Sequence, residues 1–441
     1  MKKILLFTFA LVACSAQAQF WTPKATTFAT TSRGIDDISI VNDNVVWVKA
    51  YDGSGGGNQT VKEYARSTDG GNTWTSGTMN LGAGIGAANL GIGGITAISA
   101  TTAWVAAYPS TGTSPGGIFK TENGGTTWTK QTTALFSAPA SFANLVYFWN
   151  ANDGFAQGDP EGGYFELYTT TNGGTNWTRV PSANIPAPLS GEYGYVHNYD
   201  VVNNTIWFGT NKGRIYKSVD KGLNWTVAQS PVTDFAGAAI AGNYTFSTET
   251  KGLLNTSTGL MYNTTDGGAT WTQMAGTGIL FYDIEYIPGT SKVISTGAAS
   301  MGYGSFYSFD DGVTWQVADD STQMTTLAFL NETTGFAGGF TTNSTTNGIF
   351  KYTGTVLNTA EFTNSKMTVS PNPTQGILTI SGSADVNQVA VYDLLGKQVF
   401  SANYASNDEI VIDISQLSAG AYIVKASVEN GAMQTMKILK N

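Results

Sequence analysis

One eight-residue pattern returns six times in the 441 residues and limits the fold more than any other feature. It reads Ser67-Thr-Asp69-Gly-Gly-Asn-Thr-Trp74, Thr121-Glu-Asn123-Gly-Gly-Thr-Thr-Trp128, Thr170-Thr-Asn172-Gly-Gly-Thr-Asn-Trp177, Ser218-Val-Asp220-Lys-Gly-Leu-Asn-Trp225, Thr264-Thr-Asp266-Gly-Gly-Ala-Thr-Trp271 and Ser308-Phe-Asp310-Asp-Gly-Val-Thr-Trp315. The Asp or Asn can accept backbone N–H groups of a tight turn, glycine supplies positive φ, and the Trp starts the next strand with a large apolar ring. Successive Trp positions are 54, 49, 48, 46 and 44 residues apart. Each interval holds one four-stranded sheet, and self-similarity at this period signals sheets repeated around an axis.

These turns resemble the Asp-box, or BNR, repeat of sialidase-like β-propellers. In that family the box is a structural turn remote from the ligand face, so Asp69, Asn123, Asn172, Asp220, Asp266, Asp310 and the six Trp residues are expected to be structural. Stepping back 53 residues from Trp74 reaches Trp21, a seventh Trp without its box. Residues 326–353 read as three short strands lacking a fourth, which Phe20 to Lys24 would supply, joining the ends and removing open sheet edges. The expected fold is therefore all-β, a seven-bladed β-propeller over residues 19–354. Apolar runs such as Ile38 to Val41 then Val45 to Ala50, separated by turn residues, read as the strands. A charged fraction of 12% and 53 glycines argue against a helical bundle, and a net charge of -9 leaves no footprint for nucleic acid.

The two ends carry sorting signals. Lys2 and Lys3, the apolar run Ile4 to Ala13 and Ala16-Gln17-Ala18 form the pattern of a secretory signal peptide over residues 1–18, with cleavage between Ala18 and Gln19. Leu11-Val12-Ala13-Cys14 also resembles a lipobox, a rival reading in which Cys14 is lipidated. No later run is long enough for a transmembrane segment. Cys14 is the only cysteine, so the processed chain would have no disulfide, thiolate metal site or cysteine nucleophile.

Residues 355–366 read as a polar linker and residues 367–441 as a small β-sandwich, Ig-like but without a cysteine pair. Val369-Ser-Pro371-Asn372-Pro373, Asp393-Leu-Leu-Gly396-Lys397, Leu417-Ser-Ala-Gly420-Ala-Tyr422 and the basic Lys437-Ile-Leu-Lys440 resemble the type A sorting domain of type IX secretion cargo. That resemblance implies Sec export, passage through the outer membrane by the type IX machinery, and release or attachment at the cell surface.

In a blade whose strands run A to D from the axis outward, the A–B and C–D turns share one face, here called the turn face. The B–C and D–A connections share the other, the loop face. Counting ten residues back from Trp47, Trp104, Phe155, Trp207, Phe246, Val293 and Phe336, taken as equivalent second-strand positions, gives Asp37, Gly94, Leu145, His197, Ala236, Asp283 and Thr326. These are expected to ring the loop-face end of the central channel. Asp37, His197 and Asp283, with Asp159, Glu161 and Glu192 in neighbouring connections, make the candidate ligand site. A solvated channel mouth accounts for the same residues without any ligand.

Other chemistry is easier to exclude. His197 is the only histidine, no G-x-S-x-G elbow accompanies it, and neither a His-rich metal site nor a D-x-D-x-D-G calcium loop occurs. Gly82-x-Gly84-x-Gly86 lacks nucleotide-loop spacing. No catalytic residue, cofactor or metal is assigned. A sialidase needs three arginines on the substrate carboxylate. The four here, Arg33, Arg66, Arg179 and Arg214, fall on third and fourth strands or at the sheet start, away from such a clamp. Asp37 with Asp283, or Asp159 with Glu192, remain possible carboxylate pairs, which need a separation of about 5–10 Å.

Phe155-Ala-x-Gly158-Asp159-Pro160, Ile185-Pro186, Gly191-Glu192 and Gly209-x-x-x-Gly213-x-Ile215-Tyr216-x-Ser218 resemble photosystem II assembly factor-like propellers. That likeness implies a non-enzymatic scaffold or binding role. The Arg-rich patch of the photosynthetic members is not evident, so no photosystem partner carries over. The expectation is a secreted or surface-displayed monomer that binds a glycan or a surface protein, with a glycoside hydrolase as the alternative.

Overall fold

The structure, a computed structural model, describes residues 20–82, 87–110, 116–136, 141–237, 240–277, 279, 282–298, 302–353, 368–393, 396–428 and 433–441. The signal peptide, its cleavage site at Ala18 and Gln19, Cys14 and the 355–366 linker lie outside these residues. The chain divides into a unit of Gln19–Gly354 and a second that contains Thr355–Asn441.

The first unit is a seven-bladed propeller in which five blades are separate four-stranded antiparallel sheets and blades 1 and 7 join in one eight-stranded sheet, Gly34 pairing with Phe340. The innermost strands of blades 1 to 7 are Arg33–Ile40, Leu90–Ala97, Ala143–Phe148, Gly194–Val202, Gly242–Phe246, Asp283–Tyr286 and Leu327–Asn331. Each later strand pairs with its predecessor outward from the axis. In blade 7 the outermost strand is Trp21–Ala25, which pairs antiparallel with Thr346–Tyr352, Trp21 opposite Tyr352 and Ala25 opposite Gly348. Phe20 stacks on Tyr307, Trp21 lies edge-on to Tyr352, and the Trp21 indole N–H donates to Ser305 Oγ at 2.8 Å. The earliest described strand thus closes the last blade, as the unpaired Trp21 predicts.

The six repeated turns link third to fourth strands and share the Asx and Ser or Thr bonds, while the indole bond is made by Trp74, Trp128, Trp225 and Trp315 and not by Trp177 or Trp271. In the first, the Asn72 and Thr73 N–H groups donate to Asp69 Oδ1, the Gly71 N–H donates to Ser67 Oγ, and the Trp74 indole donates to Gly71 O. Gly70 and Gly71 both have positive φ, and a Cβ on Gly71 would strike the Phe336 ring. That contact identifies what the repeated Trp does. Trp74, Trp128, Trp177, Trp225, Trp271 and Trp315 share apolar clusters with Phe336, Trp47, Trp104, Phe155, Trp207 and Leu253, each a second-strand residue of the preceding blade. Stacked twisted sheets bury both faces this way, and the Trp fills the widening gap between blades.

Blade 5 departs from the expected count. Phe246 ends the innermost strand opposite Gly252, and the second strand is Gly252–Thr256 with Leu253 in the aromatic position. Ala236 therefore does not sit on the channel ring. It is exposed in the connection before blade 5, and Asn243 takes its place.

The second unit has five strands, Thr368–Ser370, Ile377–Tyr392, Gln398–Asp413, Gly420–Val428 and Met433–Lys440. The two sixteen-residue strands pair with each other at both ends, with register shifts between. Their bend encloses a core that includes Leu378, Ile380, Val389, Val391, Ile410, Ile412, Tyr422, Val424 and Ile438. The alternation of buried and exposed positions along Ile410–Ile414 is that of a one-sided sheet. Among the described residues no helix is long and apolar enough to cross a membrane.

Candidate functional site

An innermost strand has one free edge, and in a propeller that edge lines the channel. Its N–H groups need acceptors. Here side chains of the adjoining blade provide them. The Ile95 N–H donates to Asp37 Oδ2 at 2.7 Å and the Ala97 N–H to Ser39 Oγ at 2.9 Å, from blade 2 to blade 1. The Phe148 N–H reaches Thr96 Oγ1, Phe246 reaches Asp200 Oδ2, Tyr286 reaches Thr245 Oγ1 and Leu327 reaches Asp283 Oδ2, at 3.4, 2.5, 3.1 and 2.7 Å. In every case the acceptor caps the residue one past its own structural equivalent in the next blade. Blade 7 closes the circuit in another way, with Thr325 Oγ1 donating to Ile35 O.

This ladder assigns Asp37 and Asp283 a structural task. Asp283 Oδ1 also accepts its own blade's Ile284 N–H at 2.9 Å, and Asp37 is 2% exposed. His197 joins them from blade 4. Its Nδ1 lies 3.4 Å from Asp37 Oδ1 of blade 1, and its Nε2 is 2.9 Å from Thr326 Oγ1 of blade 7. The side chain reaches that far because of an irregularity between Gly194 and Tyr199 in the strand pairing, where His197 takes a left-handed φ of 55°. Burial alone would lower the imidazole pKa, but the Asp37, Asp283 and Asp36 carboxylates outweigh it and raise it to about 9.

Asp159, Glu161 and Glu192 do not join this group. Asp159 Oδ1 accepts from Asn144 Nδ2 and the Gly194 N–H, and burial pushes its pKa up to about 6 against those two bonds. Glu161 lies at the end of a second strand opposite Tyr164, and its carbonyl accepts from Arg179 Nη2. Glu192 has a fully buried side chain bound by Arg214, Thr210 Oγ1 and the Leu189 N–H. Burial by itself would raise its pKa, yet these bonds hold it below the usual carboxylate range. The other arginines are similarly occupied: Arg33 pairs with Glu63, Arg66 lies over Trp47 and Arg179 over Tyr164. No sialidase-like arginine clamp faces the channel.

A cavity of about 510 Å³ runs along the axis. Its lining extends from Asp37, His197 and Asp283 down to Val41, Ile98, Asn150 and Leu330 at the A–B turns, so it reaches the turn face. The three ring residues form its inner end. Towards the loop face, Tyr51 of blade 1 and Tyr282 beside blade 6 bring their hydroxyls to 3.3 Å.

Two acids facing this space were not singled out as site residues from sequence. Thr245 of the intervening blade lies between Asp200 and Glu285: its hydroxyl is 3.5 Å from Glu285 Oε2, and the N–H of the next residue, Phe246, donates to Asp200 Oδ2. Burial, with Asp283 adding, pushes Asp200 to about 7 despite two backbone N–H donors. Burial followed by the charges of Asp200 and Asp283 drives Glu285 well above the carboxylate range. Tyr147, Trp149 and Tyr199 form the neighbouring wall, Tyr147 lying 5.1 Å from Trp149 and 6.1 Å from Tyr199. Among the described residues no group of three or more His, Cys, Asp or Glu could hold a metal ion.

Comparison with known proteins separates the two units. Residues 368–441 match the secretion system C-terminal sorting domain. The C-terminal unit is a type IX sorting domain. It directs the chain to type IX secretion, to the cell surface or the extracellular medium. Residues 111–243 of the propeller match the family of the photosynthesis system II assembly factor YCF48. Among solved structures, YCF48 bound to D1 peptide is 16% identical with a TM-score of 0.53, covering 79% of this chain and 99% of that one. YCF48 from Cyanidioschyzon merolae is 17% identical with a TM-score of 0.52, covering 76% and 98%. At this identity the likeness is one of fold. No curated relative matches the chain by sequence.

Proposed function

We propose that this chain is a non-enzymatic binding module that the sorting domain delivers to the cell exterior, and that its partner is a protein recognised through the propeller. The observation that carries this reading is the capping ladder. Asp37 and Asp283, the acids most expected to do chemistry, each hold a backbone N–H of the adjoining blade. A carboxylate fixed in that way supports a rigid channel better than it serves proton transfer, which needs a free oxygen at the substrate. The YCF48 structure bound to D1 peptide is a propeller that holds a peptide, and a peptide or protein partner is the class proposed here. The test is a panel of surface-protein peptides and polysaccharides offered to the full chain, scored for retention and for released reducing ends. Retention of peptide without release supports the reading. Retention of glycan alone makes the module a lectin, and release of reducing ends overturns it.

A glycoside hydrolase is the second reading, favoured by Asp200 and Glu285. These acids flank Thr245 and face the cavity, and Glu285, driven well above the carboxylate range, would hold the proton while Asp200, at about 7, ionises first, as an acid and its partner would. Loss of all reducing-end release in Glu285→Gln would establish it.

A further inference from the structure

The turn-face cavity gathers four carboxylates against a single imidazole. Its ionisable lining consists of Asp37, Asp200, Asp283, Glu285, His197 and the tyrosines. His197, the only base, is next to Asp37 and within the field of Asp283. Asp200 and Glu285 are left facing each other across Thr245 without a cation. Tyr147, Trp149 and Tyr199 supply aromatic surface beside them.

This combination selects one ligand chemistry. A hard metal ion wants a shell of oxygen ligands, which the described residues do not gather. Carboxylates beside aromatic faces suit an organic cation, whose charge they balance and whose alkyl stem the rings cover. A volume of about 510 Å³ is that of a small-molecule site. Resting on the reading that the propeller binds a ligand, we propose that this cavity takes up a primary ammonium or guanidinium group on a slender chain, entering from the turn face, with Asp200 and Glu285 as its counter-charges. Its source is a Lys or Arg side chain of the protein partner or a free polyamine. Burial favours the neutral forms of both acids, so uptake of a cation that ionises them releases protons to solvent.

Calorimetric titration of the full chain at pH 7, in two buffers of different ionisation enthalpy, tests this. The probes are an end-blocked Gly-Gly-Lys-Gly-Gly peptide, its norleucine counterpart, spermidine and a neutral cellohexaose. The Lys peptide or spermidine should bind with net proton release, and the norleucine peptide at least about tenfold more weakly, a difference of about 1.4 kcal/mol. The tighter of the two cations identifies the source. Glu285→Gln should lower cation affinity by at least about tenfold and reduce the proton count. If that variant does not fold, Tyr147→Leu in the wall should also weaken binding. Equal affinity for Lys and norleucine, or unchanged binding in both variants, overturns the cation assignment. Binding of cellohexaose or the norleucine peptide that these variants weaken would leave the cavity as a ligand site while removing its charge preference. No binding by any probe defeats both the cation assignment and the cavity as the point of uptake.

Discussion

His197 of blade 4 meets Asp37 of blade 1 across the channel, Nδ1 to Oδ1 at 3.4 Å, and ties two blades that share no sheet. Because the imidazole pKa is raised from 6.5 to about 9 in the fold, protonated His197 favours the folded state. Its contribution is complete below about pH 6.5 and disappears as the pH rises through 9. The melting temperature of the protein should therefore fall over that interval by more than that of His197→Asn, which accepts the left-handed backbone but does not titrate. Parallel curves for the two proteins would show that the ion pair contributes nothing.

Removal of a ladder acceptor leaves a buried N–H without a partner. Asp37→Ala is expected to cost about 1–3 kcal/mol at the Ile95 amide. Hydrogen exchange should show the loss of protection at Ile95 first. Retained protection there would mean that the amide finds another acceptor.

Two of the repeated turns carry a non-glycine residue where the others have the first Gly. Lys221 and Asp311 have φ of 59° and 58°, and each forms an ion pair, with Asp153 and Lys251, across to the preceding blade. A left-handed L-residue costs about 1–2 kcal/mol, and a half-exposed pair returns about 0–1 kcal/mol. Lys221→Gly should thus stabilise the propeller slightly, whereas Gly71→Ala, at φ 80° and against Phe336, should destabilise it strongly. Thermal melts of the two variants give opposite signs on this account.

The closing strand should be indispensable. Trp21 is 4% exposed and bonded to Ser305, so Trp21→Ala is expected to cost about 3–5 kcal/mol. Deletion of residues 20–25 leaves the Thr346–Tyr352 edge open and should produce self-association by size-exclusion chromatography. A stable monomer lacking this strand would contradict the arrangement.

The seven blades could be read from sequence because their signal is local. Asx acceptors, positive-φ glycines and a Trp seven positions after the Ser or Thr recur whatever surrounds them. The channel was less legible, because its residues are set by register. Ten-residue counting lands on Asp37 and Asp283, which line the cavity. At blade 5 it failed because two five-residue apolar strands look alike, and Phe246 ends the first of them. At blade 4 it reaches His197 on the channel only because four residues between Gly194 and Tyr199 stand against one, Gly209, between Phe208 and Thr210. Asp200, directly opposite Trp207, was passed over for the same reason. Glu285 reads as an ordinary alternating strand residue until the adjoining blades bring Asp200 near it.

The strand Trp21–Ala25 has a consequence in time as well as in space. It is the first strand of the propeller to be made, and its partner Thr346–Tyr352 comes more than three hundred residues later. At about 5–20 residues per second that delay is on the order of tens of seconds. Throughout it the ring has no clasp, and six blades can stack without a fixed circumference. The circle locks only when Thr346–Tyr352 meets Trp21–Ala25, so closure of the ring waits for the far end of the propeller wherever the chain folds.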